Sequence, residues 1–287
     1  MSDKIVLFII KNLQCVIYFI IFYYIYSFNR IIMKLYLEFN NLIVYNYSPK
    51  IDLFIHNNSI SNNNVVVFIN GGGFVINGNT DLVVSYHLLK KLKNIIILSI
   101  QYNIEYSFDD INKQILYEYN NIKKNHNIIS IISDSAGSLL ALNLIFNLKE
   151  KQNIKFVLLS PWLNIKYIKF NESVSYIINE DYDIINIEII NKIYNYKFKN
   201  KNFINKLDML SITEDLIKKI PETFIMTGGK EILLDDSIEF YNNLQKNNIK
   251  SEIKILKNQN HSYFTANGMF SDKVEKIVDN IINFSIE

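Results

Sequence analysis

The alternation of short β-branched runs with longer amphipathic stretches constrains this chain more than any other feature. Val65 to Asn70 reads VVVFIN, Ile95 to Ile100 reads IIILSI, and Ile128 to Ile132 reads IISII. Runs without polar alternation suit strands covered on both faces, as in a parallel sheet between helical layers. Phe156 to Ser160, Thr223 to Thr227 and Ile253 to Lys257 continue the series. Helical spacing fills the gaps, over Asp81 to Leu92, Asp109 to Ile122, Ala136 to Leu148, Asp236 to Gln245 and Asp272 to Phe284. The alternation predicts one doubly wound α/β domain, its central sheet mostly parallel with helices on both faces. Leu163 to Ile220, rich in Tyr, Ile, Asn and Lys, breaks the rhythm and reads as helices inserted between two strands, a lid. The expected organisation is an N-terminal apolar segment over 1–30 and a domain over 31–287, with the lid at about 163–220.

Composition excludes several classes. A chain that is 49% hydrophobic fills a sizeable core, which rules out wholesale disorder. Thirty basic against twenty-eight acidic residues leave a net charge of +2, too little to predict nucleic-acid binding. A lone cysteine, Cys15, excludes an intrachain disulfide framework and a thiolate zinc cluster. With only His56, His87, His126 and His261 available, a histidine-rich metal site is not expected, and no cofactor is implied. Ile and Asn are heavily over-represented and Arg30 is the sole arginine. Ile, Asn, Lys and Tyr share A/T-rich codons, so Asn-rich runs such as Asn62-Asn63-Asn64 read as solvated turns rather than recognition elements.

From Ile5 to Phe28 the chain is nearly all apolar and aromatic, interrupted by Lys11, Asn12 and Gln14. Its length is near the ~20 residues that span a bilayer. Tyr18, Tyr23, Tyr24 and Tyr26 suit an interfacial belt, and Arg30 and Lys34 follow at once. The segment is therefore expected to anchor the protein to a membrane, with the endoplasmic reticulum as one candidate. If it is instead a helix of the domain itself, a cytoplasmic location is expected. Oligomeric state is not legible in the sequence.

Three constellations carry chemistry. In Ser133-Asp134-Ser135-Ala136-Gly137 a serine stands between an apolar strand and an apolar helix. A strand turning sharply into a helix strains its central residue and needs small neighbours two before and two after. Such a turn exposes Ser135 and puts the Ala136 amide at a helix N-terminus, where developing negative charge is stabilised. Upstream, Asn70-Gly71-Gly72-Gly73-Phe74 follows directly on a strand. Its glycines let backbone N–H groups converge on one oxygen, and the spacing of a phosphate-binding loop is absent. Downstream, His261 is the only histidine after Ser135 and follows the last strand. Glu231, Asp235 and Asp236 cluster after the preceding strand. All three are candidates to orient His261, and Asp235 and Asp236 also sit where helix caps and first-turn charges usually stand. The order serine, acid, histidine is that of α/β-hydrolases.

At these motifs the chain resembles the hormone-sensitive-lipase-like branch of the α/β-hydrolases, which includes microbial esterases and fungal steryl deacetylases. NGGGF stands where that family has HGGGF, and SDSAG where it has GDSAG. Ser160-Pro161-Trp162 matches an S-P-W segment, Lys230 to Asp236 an acid-bearing segment, and His261-Ser262-Tyr263-Phe264 the histidine ending. The resemblance implies an α/β-hydrolase fold, with Ser135 as nucleophile, Glu231 as acid, His261 as base, and Gly71, Gly72 and Ala136 as oxyanion donors. It has departures: Asn70 replaces His, Ser133 replaces Gly, Glu231 replaces Asp, and Tyr102-Asn103 lacks the family's arginine and the Ala-Pro that follows. The changes at Asn70 and Asn103 imply looser support for the oxyanion loop. The expected function is hydrolysis of a small lipophilic ester through an acyl-enzyme. The alternatives are a weak or inactive ligand-binding hydrolase fold, and a serine peptidase on the same scaffold.

Overall fold

The structure, a computed structural model, describes residues 30–35, 37–38, 40–56, 63–164, 173–198, 208–261, 263 and 272–286. The apolar run Ile5 to Phe28 lies outside the described residues. Among the described residues no helix is long and apolar enough to cross a membrane.

Among the described residues eight strands form, β1 (Leu42–Ser48), β2 (Ile51–His56), β3 (Asn64–Ile69), β4 (Ile96–Ile100), β5 (Asn127–Asp134), β6 (Lys155–Leu159), β7 (Glu222–Gly228) and β8 (Ser251–Leu256). They form one sheet in the order β1-β2-β4-β3-β5-β6-β7-β8. From β4 to β8 every pairing is parallel, while β1 and β2 add an antiparallel edge. The six runs read from the sequence are β3 to β8. From β3 to β7 each run is buried on both sides because successive residues point to opposite faces, whereas β8, at the sheet edge, leaves Glu252, Lys254 and Ile255 exposed. Val65, Val67 and Ile69 enter one apolar layer, and Val66 and Phe68 enter the other.

Helices cover both layers. On one face lie α1 (Thr80–Lys91) and the C-terminal α8 (Asp272–Ile286), contributing Leu82, Leu88, Val274 and Val278. Lys90 pairs with Glu275 and Lys91 with Asp279 between them. On the other face lie α2 (Phe108–Asn125), α3 (Ala136–Asn147) and α7 (Leu234–Lys246), contributing Ile111, Ile115, Leu139 and Phe240. Ser107 starts α2, its hydroxyl accepting from the Asp110 amide at 3.3 Å. Between β6 and β7 the chain inserts α4 (Val174–Asn179), α5 (Ile187–Lys197) and the short α6 (Glu214–Ile217). These helices are the described part of the insertion, the lid, read from the sequence between two strands.

The sequence gives no warning of β1 and β2. β1 is an edge strand with Tyr45 and Tyr47 largely exposed, so it lacks the continuous apolar signature of the central strands. Arg30 departs further from expectation. Its guanidinium turns into the domain and is half-buried among carboxylates, 2.8 Å from both Asp52 and Asp81. Burial opposes its charge, but Asp81 and then Asp52 outweigh that effect and hold its pKa above the ordinary arginine value. Lys34 also turns into the domain, 2.8 Å from Asp52.

Candidate active site

The C-terminal ends of the parallel strands gather the chemistry-bearing residues, as in other open α/β sheets. β5 ends at Asp134 and α3 begins at Ala136, so one residue makes the whole turn. That residue, Ser135, has φ 48° and ψ −124°. A non-glycine residue there is strained by about 1–3 kcal/mol, which the surrounding structure must hold. Its amide donates to the Leu159 carbonyl at 2.9 Å, and its carbonyl accepts from the amides of Ser138 and Trp162 at 3.0 Å. The demand for small neighbours is visible. A Cβ on Gly137 would lie 2.3 Å from the Ile69 carbonyl oxygen, and Ser133 is fully buried.

Three expected side chains meet in one line. Ser135 Oγ lies 2.8 Å from His261 Nε2, and His261 Nδ1 lies 3.0 Å from Glu231 Oε2. The other oxygen of Glu231 accepts from the Ser160 hydroxyl at 2.6 Å and from the Gly228 amide. Gly228 permits this approach, since a Cβ there would lie 2.3 Å from the Gln259 carbonyl oxygen. Glu231 is fully buried, and Ser135 keeps only 8% of its surface exposed. Burial works against an imidazolium at His261, but the hydrogen bond and charge of Glu231, with Asp183 and Asp134 beyond, outweigh it. The His261 pKa is therefore raised above its ordinary 6.5.

The lid supplies a carboxylate that the sequence does not single out. Asp183, in the turn after α4, accepts from the His261 amide at 2.8 Å and, through its other oxygen, from the Ile232 amide at 2.8 Å. The histidine loop and the acid loop thus share one anchor. Asn179 adds a 2.9 Å bond to the Glu231 carbonyl. Asp235 and Asp236 serve the lid too. Asp235 accepts from the Ser173 hydroxyl at 2.7 Å and the Ser175 amide at 2.9 Å, and Asp236 from the Tyr176 hydroxyl at 3.2 Å. Asp235 lies in the first turn of α7 as expected, but neither it nor Asp236 is the N-cap, which is Leu233.

The glycine loop requires one correction. The Gly71 amide donates to Asp134 Oδ1 at 2.7 Å, so it is spent and cannot serve an incoming oxygen. The Gly71 carbonyl accepts from the Tyr102 hydroxyl at 2.9 Å. Asp134, whose other oxygen accepts from Thr80 at 2.9 Å, has its pKa pushed up to about 6, chiefly by burial. Gly72 and Gly73, at φ 104° and 60°, keep amides without an acceptor among the described residues, as does Ala136 at the start of α3. Gly73 was not among the donors expected from sequence, because which glycine faces Asp134 depends on a contact 63 positions away. The loop abuts the lid, where a Cβ on Gly73 would lie 2.8 Å from Ile193. Phe74 behind it packs against Phe108, Trp162 and Phe198. Among the described residues no group of His, Cys, Asp or Glu is arranged to hold a metal ion.

The sequence pattern of a family described by its alpha/beta hydrolase fold matches residues 66–265. The chain belongs to the α/β-hydrolase family. An esterase of Acinetobacter venetianus is 26% identical to this hydrolase over 155 residues, 53% of the present chain and 50% of that esterase. The chain therefore matches about half the length of that curated relative. Among solved structures, an esterase from the bacterial hormone-sensitive lipase family superposes with a TM-score of 0.74 at 19% identity, covering 89% of each chain. Carboxyl esterase 2 of the fungus Tuber melanosporum gives a TM-score of 0.66 at 15% identity, covering 84% of this α/β-hydrolase and 82% of that enzyme. At such identities the likeness to these two structures is one of fold.

Proposed function

We propose that this α/β-hydrolase cleaves carboxylic esters through an acyl-enzyme on Ser135. The observation that carries the reading is the unbroken line from Ser135 Oγ through His261 to Glu231, set on a strained strand-to-helix turn. His261 Nε2 takes the serine proton as Oγ attacks the ester carbonyl, and Glu231 holds the tautomer and balances the imidazolium. The amides of Gly72, Gly73 and Ala136 receive the oxyanion that forms. His261 then returns its proton to the departing alcohol, and water activated by the same imidazole releases the acid. The names of the relatives, esterases throughout, agree with this chemistry.

A fluorophosphonate reporter tests the reaction class directly. The full chain is expected to take up one equivalent, with the added mass on the peptide that contains Ser135, and to hydrolyse a short-chain nitrophenyl ester. A folded protein that neither labels nor turns over ester would hand the fold to ligand binding instead.

The apolar run Ile5 to Phe28 with its tyrosines supports a second element of the proposal: the hydrolase works at a membrane surface. Full-length protein should stay with membranes through an alkaline carbonate wash, whereas a chain starting at Asn29 should be released. Release of the full-length protein by the wash would remove the anchor from the proposal.

A further inference from the structure

An oxyanion hole works only if its donors are held in place before the charge develops. Three successive glycines supply little stiffness of their own, so the loop Asn70 to Gly73 must be held from outside. On its inner side Asp134 and Tyr102 grip Gly71. On its outer side the Asp81 amide donates to Asn70 Oδ1 at 3.2 Å, and the Asn70 amide group donates to Ser99 Oγ at 3.4 Å. Ser99 in turn donates to Asp81 Oδ2 at 2.7 Å. Asp81 has no exposed surface, and a carboxylate that deep needs a cation. Arg30 provides it in bidentate form, with both contacts at 2.8 Å. The same guanidinium donates to the Gly78 carbonyl at 2.9 Å. Gly78 backs directly onto the loop: a Cβ there would lie 3.4 Å from the Gly71 carbonyl oxygen and 3.6 Å from Asn70 Oδ1.

We propose that Arg30 is a positioning residue for the oxyanion loop, clamping Asp81 and Gly78 so that the glycine amides stay aimed at the reacting carbonyl. The inference rests on the ester-hydrolase reading and deepens it. It also replaces the expectation, drawn from Asn70 and Asn103, that the loop is loosely supported. The sole guanidinium of the chain reaches the loop from the segment ahead of the sheet, and a lysine ammonium cannot reproduce its planar two-point grip.

The full chain carrying Arg30→Lys keeps the charge and loses the fork. Turnover of a nitrophenyl ester is expected to fall by roughly 10- to 100-fold, somewhat less than deletion of a hole donor, with KM nearly unchanged. The inhibition constant of a trifluoromethyl ketone, which adds reversibly to Ser135 and places an oxyanion in the hole, should rise by the same factor. Lys34→Gln, in the same segment but paired among the described residues with Asp52 and not Asp81, should match wild type. Wild-type kcat in folded Arg30→Lys, a kcat loss without weaker ketone binding, or an equal loss in Lys34→Gln would each overturn the proposal. If Arg30→Lys does not fold, Ser99→Ala, which removes the hydroxyl bridge from the Asp81 carboxylate to the Asn70 amide group and leaves the Asp81 N–H bond to Asn70 Oδ1 in place, decides by the same two readouts. An inactive wild type would defeat the ester reading itself, a different result from an active wild type matched by its Arg30 variant.

Discussion

Ser135→Ala is expected to lower ester turnover by about 10⁶-fold while leaving the protein folded. The hydroxyl is the only part of the residue that faces His261, at 2.8 Å. The backbone bonds that hold the turn, to Leu159, Ser138 and Trp162, belong to the main chain and survive the change. Alanine is strained at φ 48° much as serine is, so stability should shift by less than about 1 kcal/mol. Residual turnover would reflect the oxyanion donors and substrate binding acting on water. Circular dichroism melting with a nitrophenyl ester assay on the same purified sample checks both halves. A folded variant within tenfold of wild type would show that the reacting nucleophile lies elsewhere.

How far such a site can be read from sequence depends on the distance over which its residues are connected. Strands β3 to β7 are legible because each is buried on both faces and is largely apolar, and the edge strand β8 is legible from its place in the alternation with helices. Ser135 is legible because its demands are local: small residues at 133 and 137, a strand before and a helix after. His261 follows from scarcity alone. Arg30 was opaque for the opposite reason. Its partners Asp52 and Asp81 lie 22 and 51 positions away, and beside an apolar run an arginine looks like an interfacial flank. Asp183 was hidden in a lid whose composition carries no periodic signal, and its contact with the His261 amide spans 78 positions. Asp235 and Asp236 were placed correctly in the first turn of α7. Their bonds to Ser173, Ser175 and Tyr176 became visible only once the lid was seated on that helix.

Glu231→Gln is expected to cost up to about 10⁴-fold in turnover, against little loss for Asp235→Asn. The asymmetry follows from what each oxygen of Glu231 accepts. Oε2 faces His261 Nδ1 at 3.0 Å, while Oε1 accepts from Ser160 at 2.6 Å and from the Gly228 amide. A glutamine has one oxygen for these two sides. If its oxygen faces the histidine, its NH₂ group confronts the Gly228 N–H, donor against donor. If it turns over, the NH₂ group faces Nδ1 and selects the tautomer with hydrogen on Nε2, which cannot take the serine proton. Asp235 touches only the lid, through Ser173 and Ser175, so its amide should cost on the order of 1 kcal/mol of stability and leave the triad line intact. The pH profile adds a signature that mere destabilisation cannot mimic. His261 must be neutral to accept a proton, and its pKa is raised, so wild-type kcat/KM should fall on acidification through a midpoint above 6.5. Without the Glu231 charge, burial dominates and favours neutral imidazole, so the residual activity of Glu231→Gln should keep its acid limb at lower pH than wild type. Profiles of both variants on one ester decide between the carboxylates. Lost turnover in Asp235→Asn beside a near-normal Glu231→Gln would move the acid one helical turn along the chain, and an unshifted limb in Glu231→Gln would detach Glu231 from the imidazole.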